Sequence, residues 1–119
     1  MTPYQAYYKA KELGKRTPEL EPTISKDAFS SYCYAKNVIK GKWELAETTI
    51  SKDVCYSYCY ALHVIKSRFI LGEPAISQDA YWSYFYAKNV IKGRLPDFMH
   101  NQMILSNDEY TKEYVKFIK

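Results

Sequence analysis

Residues 53–66 read DVCYSYCYALHVIK, and this stretch decides the fold because the chain carries three versions of it. Residues 27–40 read DAFSSYCYAKNVIK and residues 79–92 read DAYWSYFYAKNVIK, an offset of 26 residues each time. The copies align without gaps from Ile24, Ile50 and Ile76. Each opens Ile-Ser-(Lys/Gln)-Asp and closes Val-Ile-Lys, followed by Gly or Ser and then a basic residue. A period of this length holds two short helices and their joints.

The quoted stretch predicts the longer helix of each unit. Asp27, Asp53 and Asp79 suit the N-cap, where a carboxylate accepts orphan backbone N–H groups. Gly41 and Gly93 suit the position just past the end, where φ turns positive, with Ser67 a weaker stop in the middle copy. Lys40, Lys66 and Lys92 fall in the last turn, favourable to the helix dipole. At about 100° per residue, the repeated positions Ala28, Ser31, Tyr32, Tyr34, Ala35, Val38 and Ile39 fill one continuous arc of roughly 160°. A strand period would split them between two faces. Ala35, Ala61 and Ala87 lie mid-arc and mark where neighbouring helix axes come close.

The other half of each unit is shorter: TPELEPTI (17–24), WELAETTI (43–50) and FILGEPAI (69–76). Pro18 fits the first helical position after a Thr17 cap. Leu20, Leu45, Leu71 and the terminal isoleucines are expected to supply apolar contacts. Pro22 and Pro74 limit the segment to two turns at most, partly 3₁₀. Trp43 and Phe69 are expected to plug the junctions between units. Residues 4–16 match the long helix with one residue deleted near Ala10, and Pro3 starts it. Residues 95–104 resemble the short helix with two residues added, and 107–119 form a final helix capped by Asn107 or Asp108.

The predicted fold is therefore all-α: a right-handed α-solenoid of about 26-residue two-helix repeats with degenerate capping units, its handedness taken from known α-repeats. One domain spans 1–119, with units at about 1–24, 25–50, 51–76 and 77–104 and a terminal helix at 107–119. With 47% hydrophobic and 25% charged residues the chain is globular rather than disordered, and only 4 glycines and 5 prolines disfavour a turn-rich β protein. The net charge of +4 is mild; it excludes an acidic DNA mimic without making a nucleic-acid binder. Three cysteines cannot all pair internally, and neither a secretory leader nor a long apolar run is visible, so a reducing, cytoplasmic, non-membrane setting is expected.

The consensus W-x-x-A/L-E-x-x-I-x-x-D-x-x-x-x-Y-x-Y-A-x-x-V-I-K-G-R resembles a short tyrosine-rich α-helical repeat of uncharacterised phage, giant-virus and bacterial proteins. Trp43, Glu47, Ile50, Asp53, Tyr58, Tyr60, Ala61, Val64, Ile65 and Lys66 carry the likeness, with their counterparts in the flanking copies. Ser67 and Leu62 depart from it. The resemblance implies a repeat scaffold without catalytic residues. It also implies a small viral protein that binds or inhibits a host protein, in the host cytoplasm.

Cys55, Cys59 and His63 are spaced four residues apart on the outer side of the middle helix. Cys55 and His63 stand about 12 Å apart along the axis, too far to share one ion. Cys59 and His63 lack an orienting acid and an oxyanion hole, so neither a metal, a cofactor nor thiol catalysis is expected. Two surface features remain. The helix ends carry a basic ladder, Lys40 and Lys42, Lys66 and Arg68, Lys92 and Arg94, suited to phosphates or acidic side chains. The variable face grows more aromatic toward the C-terminus and offers Tyr56, Tyr81, Trp82 and Phe85 to a protein partner. Protein binding is the leading expectation and nucleic-acid binding along the ladder the alternative. Solenoid ends also allow a homo-oligomer.

Overall fold

In the computed structural model, which describes residues 1–119, the chain is all-α. α1 (Pro3–Leu13) starts behind Thr2, which forms a capping box with Gln5, and stops at Gly14, whose φ of 71° is costly for any residue with a Cβ. Three two-helix units follow: α2 (Glu21–Ile24) with α3 (Ala28–Tyr34), α4 (Glu44–Ile50) with α5 (Val54–Cys59), and α6 (Glu73–Ile76) with α7 (Ala80–Tyr86). A 3₁₀ turn at Ile70–Gly72 leads into α6, and α8 (Asp97–Ser106) and α9 (Glu109–Ile118) close the chain. The long helices α1, α3, α5, α7 and α9 pack each against the next, with the short helices as a second layer. The stack measures 48 × 20 × 19 Å.

The expected caps are in place. Asp27, Asp53 and Asp79 accept the N–H groups of Ser30, Tyr56 and Trp82 at 2.9, 2.8 and 3.1 Å. Ala35, Ala61 and Ala87 are fully buried. Ser31, Ser57 and Ser83 tie each long helix to the preceding short one by donating to the carbonyls of Ile24, Ile50 and Ile76. Thr111 repeats that bond to Met103 at 2.9 Å, so α8 and α9 form a fourth unit rather than a tail. Pro22 and Pro74 sit in the first turn of α2 and α6, where no N–H is required.

The long helices differ from expectation in their second halves. Ala35–Ile39, Tyr60–Ile65 and Ala87–Ile91 are π-helical. A π turn is an α turn with one residue inserted, and α1, whose sequence is one residue shorter, is α throughout. The extra residue also moves the stop. Lys40, Lys66 and Lys92 hold the left-handed conformation, at φ of 61°, 55° and 62°, and Gly41 and Gly93 do not. Gly41, Ser67 and Gly93 donate back to Ala35, Ala61 and Ala87, closing a wide terminal loop. A left-handed lysine strains the backbone, so Lys66→Gly is expected to raise folding stability by about 0.5–1 kcal/mol in chemical denaturation. A loss would show that the lysine side chain outweighs the strain.

Two further corrections concern the short segments. Pro18 opens a turn, not a helix. Leu45 and Leu71 face outward, 61% and 57% exposed, because the space under each short helix is taken by a buried glutamate and isoleucine.

Candidate functional site

Inside each unit one tyrosine hydroxyl joins the short and long segments. Tyr34 donates to Glu21 at 2.6 Å and accepts the Thr17 N–H at 2.9 Å. Tyr60 does the same with Glu47 (2.7 Å) and Trp43 (2.9 Å), and Tyr86 with Glu73 (2.5 Å) and Phe69 (3.0 Å). Burial pushes the Tyr34 phenol up to about 12, and burial beside a carboxylate also raises Tyr60 and Tyr86. The hydroxyls stay protonated and remain donors.

The basic residue before each segment completes two of these networks. Arg16 forks onto Glu21 at 2.9 and 3.0 Å, and Arg68 onto Glu73 at 2.8 and 2.7 Å. The Arg16 guanidinium holds the Glu21 carboxyl below its ordinary range, with Tyr34 assisting. Lys42, at the equivalent place, turns instead to the exposed Glu44 at 3.7 Å. In the fourth unit Tyr114 accepts the Leu95 N–H at 3.1 Å and lies 2.6 Å from His100 Nδ1, while Arg94 goes to Asp97 at 2.8 Å. Burial, then the charge of Arg94, lowers the His100 pKa and keeps its ring neutral. Sequence reasoning missed these carboxylates, although Glu21, Glu47 and Glu73 recur five residues after a basic residue and thirteen before a tyrosine.

The basic ladder is accordingly split. Lys42, Arg68 and Arg94 are each held by a carboxylate. Lys40, Lys66 and Lys92 are exposed and make no salt bridge. Lys66 and Lys92 reach a hollow of about 350 Å³ walled by Ala61, Leu62, Asn89 and Val90.

The aromatic face is built from contacts between units. Tyr32 meets Tyr56 at 5.8 Å between ring centroids, Tyr58 meets Trp82 at 5.1 Å and Tyr84 meets Tyr110 at 6.2 Å. Tyr81 packs on Trp82 (5.0 Å), Phe85 (4.9 Å) and Tyr110 (5.1 Å) and is still 41% exposed. Tyr56 is not in this cluster. It belongs to an N-terminal row with Phe29, at 5.4 Å, and beyond it Tyr4.

The cysteines are half-buried and unpaired. Burial, with Cys55 beside it, pushes the Cys59 thiol up to about 11, and burial raises Cys33. Thiols so raised are poor nucleophiles near neutrality. No three histidine, cysteine or carboxylate side chains converge as a metal ion would need. No helix is long and apolar enough to cross a membrane. Comparison of the chain with protein-family models, curated proteins and solved structures finds no match.

Proposed function

We propose that this chain is a non-enzymatic protein-binding module: a right-handed α-solenoid of about 26-residue two-helix repeats that engages its partner through the Tyr81, Trp82 and Phe85 patch. The observation that carries this reading is Tyr81, substantially exposed yet braced by three other rings. Braced aromatics lose little conformational freedom on binding and bury much area, the properties of interface hot spots. On the sequence resemblance, the module is a small viral protein that occupies a host protein in the host cytoplasm.

A second reading rests on Lys40, Lys66 and Lys92, whose charges no carboxylate of the chain neutralises. It is a strip for nucleic-acid phosphates. One experiment separates the two. Tyr81→Ser and the triple variant Lys40→Glu/Lys66→Glu/Lys92→Glu are compared with the parent in protein capture and in retention on DNA and RNA. The leading reading expects Tyr81→Ser to weaken the captured protein by roughly thirtyfold, a hot-spot effect, with the triple variant near parent. Lost nucleic-acid retention in the triple variant alone supports the second reading and removes the first.

A further inference from the structure

The geometry points to a second binding site, at the junction of the second and third units, where Glu47 receives an arginine side chain presented by a partner peptide. The two neighbouring units show the interaction within the chain itself. Arg16 and Arg68 fork onto Glu21 and Glu73, but the residue at that place in the second unit is Lys42, which reaches to Glu44. Glu47 is 8% exposed, and its Oε2 takes the Tyr60 hydroxyl at 2.7 Å. Its Oε1 receives no donor from the chain and is not sealed from solvent.

A groove of about 300 Å³ opens beside it, with Glu47, Ile65, Ile70 and Leu71 in its lining and Lys42 and Arg68 also reaching it. At the equivalent places in the neighbouring units, Glu21 and Glu73 are each engaged by the chain's own guanidinium. The groove therefore offers the acceptor that a guanidinium takes in the neighbouring units. A guanidinium fits a carboxylate as a planar fork, which a lysine ammonium does not. Its methylene stem would lie along Ile65 and Leu71. Arg68 does not oppose this, because Glu73 already neutralises it. Ile70 and Leu71 are 67% and 57% exposed beside the groove, so apolar neighbours of the arginine would cover them. That selects a peptide over a free metabolite. The site is separate from the aromatic patch, and its failure leaves that reading standing.

The test is an NMR titration of the ¹⁵N-labelled chain with acetyl-Leu-Arg-Leu-amide, acetyl-Leu-Lys-Leu-amide and free arginine. Saturable shifts confined to residues 42–47 and 65–71 are expected with the arginine peptide, with the lysine peptide about tenfold weaker and free arginine weaker than the arginine peptide. Lys42→Arg gives the chain its own guanidinium at this place. It is expected to abolish the shifts and to raise the melting temperature. Glu47→Gln is expected to weaken binding. Absent shifts, equal binding of the lysine peptide, or undiminished binding in Lys42→Arg overturns the proposal. Free arginine binding as tightly as the peptide overturns the peptide partner.

Discussion

Replacing Arg68 by methionine is expected to lower folding stability by about 3–5 kcal/mol, the cost of stripping a buried charge of its partner. Glu73 is fully buried and holds only two groups, the Arg68 fork and the Tyr86 hydroxyl. Without the guanidinium its charge has one neutral donor left. Lys42→Met, at the equivalent place one unit earlier, breaks only an ion pair with an exposed glutamate and is expected to cost less than about 1 kcal/mol. Chemical denaturation near neutrality reads both variants. A stability for Arg68→Met within 1 kcal/mol of the parent near neutrality would mean that Glu73 finds another donor.

This contrast shows what the sequence conveyed and what it withheld. The repeat, the caps at Asp27, Asp53 and Asp79, and the buried alanines were legible because they follow from identity at fixed spacing and from local backbone chemistry. The basic residues were legible as a ladder but not as two classes. Whether a cation is free depends on a carboxylate across a turn, and Arg68 and Lys66 look alike until Glu73 is placed. The π turns were hidden for a related reason. Helical phase tolerates one inserted residue when the apolar arc is broad, and the single missing residue in α1 was the only mark of it. The aromatic patch was half legible. Helical spacing puts Tyr81 and Phe85 on one face, but only α9 folding back as a fourth unit brings Tyr110 to them. Leu45 and Leu71 were expected to supply apolar contacts and face outward instead, because a leucine carries no sign of the glutamate that takes its place inside.

Trp43→Ala is expected to cost about 3–5 kcal/mol and to loosen the N-terminal end from the rest of the stack. Trp43 is 3% exposed at the joint between units. Its ring lies 4.8 Å from that of Tyr34 in the first unit, and its backbone N–H donates to the Tyr60 hydroxyl of the second at 2.9 Å. One side chain thus faces the earlier unit while its own backbone is pinned to the later one. In a stack stabilised by nearest-neighbour interfaces, removing the ring weakens one interface and leaves the others intact. Hydrogen exchange should therefore quicken across α1–α3 while α6–α9 keep their protection. Trp43→Phe is the control. Phe69 fills the same place in the third unit, 4.9 Å from Tyr60, so phenylalanine is expected to keep most of the interface, with a loss below about 1.5 kcal/mol. Uniform loss of protection from α1 to α9 in Trp43→Ala would show that the helices unfold as one block, and that the units are repeats in sequence without being separable in stability.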